Sequence, residues 1–171
     1  MKTSLAFLLM LGAVGAAAPA LAQAPVVAAE NQAALLKDKD PQLAANKKVV
    51  FDFLRIVLDA AHTEQGDKFV DPGYIEHNPV IPTGRAGLLK LFGQMPRKEV
   101  QPTLRGLVAV TADGDLVTVV SVAEVDEPHK PGAKYTTSHF DMFRLKNGRI
   151  IEHWDDDKKG GDAPQGPPPP G

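Results

Sequence analysis

The sequence contains no cysteine, and this absence excludes several classes of protein. Disulfide-stabilised scaffolds, thiol enzymes and zinc centres with cysteine ligands all need that residue. A stable fold must therefore depend on packing alone, for which a chain of 171 residues is long enough. Aromatic residues are few, at 6%, and the formal net charge of −2 gives no basic surface for nucleic acid. We expect one soluble domain with no nucleic-acid partner.

A long apolar run is present at one place, the amino terminus. Lys2 precedes an apolar stretch at residues 5–14, and small residues follow as far as the Ala-Leu-Ala triplet at 20–22. A positive charge, an apolar stretch and an A-x-A site are the parts of a secretory signal peptide. We predict a signal peptide at residues 1–22, export to the periplasm or beyond, and no stable membrane insertion after cleavage. An uncleaved anchor is the alternative.

Two further segments have too few large apolar residues to form a core. Residues 23–41 are rich in alanine and polar side chains, which predicts a flexible segment before the fold. Residues 158–171 are charged and then rich in glycine and proline, which predicts a disordered tail. The folded domain is therefore expected to span residues 42–157.

The order of the predicted elements indicates the fold class. Apolar residues recur at helical spacing from Pro41 to about Ala61, and a second helix is predicted at 86–94. After Pro102 the period changes to two, which predicts strands. This order favours an α+β fold, with N-terminal helices packed on a curved antiparallel sheet around a pocket. The predicted strands cover 104–111, 116–125, 133–145 and 149–155, after a helical piece at 67–70 and an extended piece at 74–79.

The last two predicted strands carry a pattern of acid/base side chains. His139 and Asp141 alternate on the first strand, and His153 and Asp155 alternate on the second. Side chains two residues apart lie on the same face of a strand, so each pair shares a face. Whether the two pairs share one face of the sheet depends on the register of the hairpin around residues 147–148.

We predict a three-residue loop at residues 146–148, with Gly148 in the left-handed conformation. A two-residue loop is less favourable, because it pairs Lys146 with Arg149 and sets phenylalanines opposite carboxylates. The three-residue loop places all four acid/base side chains on one face, where an exposed face with ordinary ion pairs is the alternative interpretation. The predicted cross-strand pairs are Phe140–Trp154, Asp141–His153 and His139–Asp155.

Three stretches of the chain resemble a known family. They are Tyr-Ile-Glu-His-Asn-Pro at 74–79, the Gly84-Arg85 pair before the second predicted helix, and the terminal hairpin at 141–155. Over residues 42–157 the chain resembles SnoaL-like proteins of the nuclear transport factor 2-like (NTF2-like) superfamily. It is most similar to the bacterial branch described as predicted SnoaL-like aldol-condensation enzymes. The resemblance implies an NTF2-like cone that is often a dimer through its sheet, so we expect a homodimer.

The resemblance also implies a set of site residues. In the polyketide cyclase that names the group, a carboxylate near the end of the last strand is the general acid/base, and Asp155 occupies that position. Polar positions in the preceding strand correspond to His139 and Asp141, and a further Asn corresponds to Asn78. This chain has a His/Asp pair where the cyclase has an amide followed by His, so the polyketide substrate is not carried over.

Three functions are compatible with these residues. The first is a cofactor-free acid/base enzyme that acts on a small carbonyl compound by aldol condensation, isomerisation or dehydration, with Asp155, Asp141 and His139 as catalytic residues. Burial in an apolar cone is expected to raise the pKa of Asp155. The second is a non-catalytic small-molecule-binding module with the same pocket. The third, a metal site of two His and two Asp, is disfavoured by the spacing, so neither a metal nor a cofactor is expected. The residues expected to bind the substrate are Tyr74, His77, Asn78 and His153.

Overall fold

A computed structural model describes residues 23–127 and 130–157, together with residue 159. The predicted signal peptide and most of the predicted tail lie outside these residues. Within the described part of the chain, no helix is long and apolar enough to cross a membrane. The helices are α1 (Gln32–Leu35), α2 (Pro41–Asp52), a π-helix (Phe53–Asp59), a 3₁₀ helix (Thr63–Lys68) and α3 (Arg85–Phe92). The strands are β1 (Val70–Glu76), β2 (Leu107–Asp113), β3 (Leu116–Asp126), β4 (Lys134–Lys146) and β5 (Arg149–Asp155).

The long helix predicted from Pro41 is present and begins at that residue. Asp40 caps it, because its side chain accepts a hydrogen bond from the backbone N–H of Gln42 at 2.7 Å. Pro41 stands at the first helical position, where its missing N–H costs nothing. The helix continues as the π-helix to Asp59, and Ala61, with a φ of 56°, turns the chain away.

The sheet is mixed, with strand order β1-β5-β4-β3-β2. The pairs β2–β3, β3–β4 and β4–β5 are antiparallel, whereas β1 runs parallel to β5. Pro72 is compatible with β1 because this is an edge strand, in which a missing N–H leaves few ladder bonds unmade. The predicted α+β fold of helices on a curved sheet is confirmed, and the parallel strand is the detail that the element order did not predict.

Three predicted boundaries are wrong. The extended piece expected at 74–79 is β1, which begins at Val70 and ends at Glu76. The helical piece expected at 67–70 is the 3₁₀ helix Thr63–Lys68, and Val70 already belongs to β1. The strand expected from residue 104 begins at Leu107, because Leu104 lies in the preceding loop. Leu104 is instead held by the side chain of Gln32, which bonds its backbone N–H and carbonyl at 2.8 and 2.7 Å. This contact attaches α1 to the start of β2.

The core lies between the helices and one face of the sheet, which we call the inner face. On β4 the odd-numbered residues Phe143 and Leu145 are buried on this face. Val50, Phe53 and Val57 pack against the inner face from the helical layer. The opposite, outer face carries the even-numbered residues of β4. The helices therefore cover the same face that carries the odd-numbered His139 and Asp141.

The terminal hairpin has a two-residue loop, not the predicted three-residue loop. Asn147 and Gly148 both have positive φ, 51° and 72°, as a type I′ turn requires. Lys146 consequently pairs with Arg149, the pairing that the like charges had disfavoured. A β-bulge then adds one residue to β5, between the pairs Leu145–Ile150 and Arg144–Glu152.

The predicted three-residue loop would have shifted the cross-strand pairing by one residue relative to a regular two-residue hairpin. The bulge shifts it by one residue in the other direction. The predicted pairs Phe140–Trp154, Asp141–His153 and His139–Asp155 are all wrong, since Asp141 pairs with Asp155. The face assignment nevertheless holds, because all four acid/base side chains lie on the inner face. The observed pairs beyond the bulge are Arg144–Glu152, Phe143–His153, Met142–Trp154 and Asp141–Asp155.

Candidate active site

Three neighbouring strands bring a set of polar side chains together on the inner face, and we call this set the polar cluster. β4 supplies His139 and Asp141, β5 supplies His153 and Asp155, and β1 supplies Tyr74 and Glu76, with Asn78 just beyond its end. Because β5 lies between β1 and β4, its two polar side chains contact those of both neighbours. Six of the seven residues were predicted as site residues from the sequence.

The buried centre of the polar cluster is a histidine between two carboxylates. His153 Nδ1 lies 2.8 Å from Glu76 Oε1, and His153 Nε2 lies 3.1 Å from Asp141 Oδ1. Burial alone would lower the pKa of His153, but its hydrogen bonds to Asp141 and Glu76 outweigh it and raise the pKa to about 9. At neutral pH this imidazole is therefore positively charged. Its ring also stacks on Phe143, with centroids 4.5 Å apart.

The two carboxylates are held in the charged form by the same contacts. Burial acts to raise the pKa of Asp141, but hydrogen bonds from His139 and His153 reverse the shift and lower it to about 2. Burial likewise acts to raise the pKa of Glu76, whose side chain has no solvent exposure. Hydrogen bonds from His153, Tyr74 and the backbone N–H of Asn78 hold that pKa below its ordinary value.

His139 lies at the more open side of the polar cluster, with its side chain 26% exposed. Its Nε2 is 3.4 Å from Asp141 Oδ1, and its Nδ1 is 2.6 Å from Asp156 Oδ1. The hydrogen bond to Asp141, with the nearby negative charges, raises the pKa of His139 to about 9. A second positive charge therefore lies beside Asp141.

Asp155 faces Asp141 across the strand pair and is oriented from its other side. Asn78 Nδ2 donates to Asp155 Oδ2 at 2.5 Å, and the backbone N–H of Asp157 donates to Asp155 Oδ1 at 3.1 Å. Burial raises the pKa of Asp155, against the opposing effect of the Asn78 hydrogen bond. The upward shift of the Asp155 pKa is the one expected from the sequence. Its cross-strand neighbour is Asp141, not the predicted His139.

Tyr74 is part of the polar cluster and lies at its buried side. Its hydroxyl donates to Glu76 Oε2 at 2.5 Å, and the whole residue is only 2% exposed. Burial and the adjacent carboxylate raise its pKa far above the ordinary value, so the phenol stays protonated. The structure therefore places Tyr74 as a hydrogen-bond donor to Glu76.

The structure places His77 outside the polar cluster, on the outer face. Its Nε2 lies 2.9 Å from Glu152 Oε1, and its ring stacks on Trp154 with centroids 5.1 Å apart and planes 4° apart. The guanidinium of Arg144 also lies over the ring of Trp154, 5.5 Å from its centroid. Trp154 thus packs against His77 and Arg144. The predicted register had placed Trp154 opposite Phe140, but its cross-strand partner is Met142.

Glu76 is the member of the polar cluster that sequence reasoning missed. Tyr74, Glu76 and Asn78 alternate along one face, so Glu76 lies between two residues that were predicted to form the site. The same alternation places His77 on the other face. Applying period two to residues 74–78 would have found Glu76 and excluded His77.

His139, Asp141 and Asp155 can also hold a metal ion. Each offers one ligand atom, and these atoms all lie within 4.8 Å of one another. A shallow depression of about 660 Å³ lies elsewhere, at the turn of the terminal hairpin, and none of its lining residues belongs to the polar cluster. Its lining residues are Asp71, Lys146, Asn147, Arg149 and Ile151.

The helices on a curved mixed sheet and the polar cluster on its inner face agree with the resemblance inferred from the sequence. The family profile described as "SnoaL-like domain" matches residues 50–153. The chain therefore belongs to the SnoaL-like family, and the resemblance is confirmed. No curated protein matches the chain.

The chain is similar to several solved structures at low sequence identity. One is a predicted polyketide cyclase from Acidithiobacillus ferrooxidans, with 21% identity, a TM-score of 0.47, and coverage of 66% of this chain and 87% of that one. A second is a predicted SnoaL-like polyketide cyclase from Jannaschia sp. CCS1, with 18% identity, a TM-score of 0.48, and coverage of 70% and 91%. A third is an LEH-like epoxide hydrolase from Mycobacterium tuberculosis, with 15% identity, a TM-score of 0.46, and coverage of 65% and 80%.

Proposed function

We propose that this SnoaL-like protein is an acid/base enzyme that acts on a small carbonyl compound without needing a cofactor for proton transfer. The observation that carries the proposal is the arrangement around Asp155. This half-buried carboxylate is oriented by Asn78, and one of its oxygens lies within 4.8 Å of a ring nitrogen of the positively charged His139. A base with a raised pKa next to a fixed positive charge is suited to forming an enolate.

In the proposed reaction, Asp155 accepts a proton from the carbon next to the substrate carbonyl. The electrons of that C–H bond form the enolate, and its negative oxygen is stabilised by the imidazolium of His139. In an isomerisation, protonated Asp155 returns the proton to another carbon. In an aldol condensation, the enolate carbon attacks a second carbonyl, and the resulting alkoxide takes the proton. His153 and Glu76 hold Asp141 in place behind His139.

Proton abstraction can be tested before the natural substrate is known. We expect the wild-type protein to exchange the α-protons of some members of a panel of small ketones and aldehydes in D₂O, followed by ¹H NMR. Asp155→Asn removes the base and should slow this exchange at least about 100-fold. Asp126→Asn, an exposed carboxylate at the end of β3, is the matched control and should leave the rate unchanged.

The outcomes separate catalysis from binding. Circular dichroism must show that Asp155→Asn remains folded, and an unchanged exchange rate in that folded variant would remove Asp155 from the mechanism. Chemical-shift changes of a ligand without exchange, in both proteins, would identify a binding module.

We further propose that the protein acts outside the cytoplasm and as a homodimer. Export is supported by the signal-peptide pattern at residues 1–22. The intact mass of the exported protein should correspond to a chain that begins at Gln23, and retention of the full leader would contradict export with cleavage. The dimer is supported by apolar side chains on the outer face, where Phe140 is 50% and Ile75 is 48% exposed.

A further inference from the structure

Three side chains of the polar cluster converge in the way that metal ligands do. His139 and Asp141 come from β4 and Asp155 from β5, and one ligand atom of each lies within 4.8 Å of the others. The 3.4 Å between His139 Nε2 and Asp141 Oδ1 already suits two ligands of one ion, since bonds of about 2.1 Å place adjacent ligand atoms roughly 3 Å apart.

A second observation is that each of these side chains is oriented by an outer partner. His139 uses Nδ1 to contact Asp156 Oδ1 at 2.6 Å, which leaves Nε2 directed toward Asp141. Asp155 is held by Asn78, and Asp141 is held by His153. Histidine ligands of metal ions are usually fixed in this way, with the second ring nitrogen bonded to a carboxylate.

Carboxylates in and beside the polar cluster outnumber its two positively charged histidines, and this excess of negative charge favours a cation. Asp141 and Asp155 are directly opposite each other, an arrangement in which two carboxylates repel. Asp156 and Asp157 add negative charge on the open side, through contacts with His139 and Asn78. His153 cannot serve as a ligand without breaking the buried centre, because both of its ring nitrogens contact carboxylates.

We propose that His139, Asp141 and Asp155 form a binding site for a divalent transition-metal ion. One imidazole and two carboxylates suit Mn²⁺, Fe²⁺, Co²⁺ or Zn²⁺ better than Mg²⁺, which prefers oxygen ligands alone. This inference goes beyond the proposed function, because binding requires no turnover. The ion must displace the proton that His139 carries at neutral pH, so binding should release about one proton per ion. Metal binding also implies regulation, since an ion on the carboxylate of Asp155 occupies the oxygen that would accept the substrate proton.

The site can be tested by titrating Co²⁺ into the chelator-treated protein at neutral pH. We expect one ion per chain by isothermal titration calorimetry, with visible absorption bands of protein-bound Co²⁺, and much weaker binding of Mg²⁺. His139→Ala should weaken Co²⁺ binding at least about 100-fold, and Asp156→Asn about 10-fold, since it removes only the outer partner. His77→Ala is the matched control, a histidine with its own carboxylate partner on the outer face, and should not change the affinity.

The results of these titrations test the metal site separately from the proposed enzyme activity. Equal affinities of wild type, folded His139→Ala and folded Asp156→Asn would overturn it, as would the absence of Co²⁺ binding by wild type. Asp156 is exposed, so its substitution tests the site even where His139→Ala fails to fold. Failure of Co²⁺ binding with an active, Asp155-dependent proton exchange would leave the proposed function standing. Co²⁺ binding by a protein that shows no proton exchange when it is free of metal would support the metal site and contradict the enzyme.

Discussion

Glu76 carries a carboxylate with no exposed side-chain surface, a position that a charged group can occupy only with a partner. The partner is His153, whose imidazolium also contacts Asp141. Removing one member of such a set leaves an unpaired buried charge. The protonation of the two cluster histidines is therefore coupled to folding.

The stability of the protein should fall as the pH rises. The pKa values of His139 and His153 are raised to about 9, so their contribution is complete below their ordinary value near 6.5 and is lost as the pH passes 9. One pKa unit corresponds to about 1.4 kcal/mol, and because these groups are coupled we expect a total loss of roughly 3 kcal/mol by about pH 10. Urea unfolding at a series of pH values measures this loss.

Two variants identify the source of the alkaline loss. Asp141→Asn removes the acceptor that raises both histidine pKa values, so its stability should be lower at neutral pH and should decline less with rising pH. His77→Gln should keep the wild-type profile. A wild-type stability that is constant from pH 6 to 10 would contradict charged histidines in the polar cluster. At acid pH, the lowered pKa of Asp141 and the raised pKa of Asp155 act in opposite senses, so the alkaline limb is the cleaner test.

Among the elements, β5 determines where the polar cluster forms. A regular two-residue hairpin would set His153 opposite Met142 and carry His153 and Asp155 to the outer face. The extra residue of the bulge returns both to the inner face, opposite Phe143 and Asp141. The bulge therefore makes the favoured Asn-Gly turn compatible with an inward-facing site.

The sequence predicted the shared face but not the register that produces it. Period-two alternation depends on local stereochemistry. It therefore predicted directly that His139 and Asp141 share one face of their strand, and that His153 and Asp155 share one face of theirs. The register depends on the one residue that the bulge inserts into β5. The free-energy difference between registers is small and depends on contacts across the whole sheet, so a local pattern does not predict it. The parallel pairing of β1 was also beyond local patterns, because it joins residues about as distant as Glu76 and His153.

At the scale of the whole molecule, the outer face is the side of the sheet that the helices leave uncovered, and it carries the exposed apolar side chains Phe140 and Ile75. We expect Phe140→Asp to weaken the proposed dimer at least tenfold, because it places a charge among the apolar side chains of the proposed interface. Analytical ultracentrifugation over a concentration series measures the dissociation constant. Met95→Asp, at an exposed apolar side chain that follows α3, is the control and should not change association. A wild-type protein that remains monomeric at high concentration would contradict the dimer.

The parallel pairing of β1 with β5 also determines when the polar cluster can exist during folding. Among the described strands β1 pairs with β5 alone, so it cannot join the sheet until the end of the domain has been synthesised. Glu76 and His153 are separated by 77 residues along the chain, a long loop to close. The assembly of the polar cluster and the completion of the sheet are thus one late event. A nascent or truncated chain without β5 would expose the buried side of β1 and contain none of the proposed chemistry.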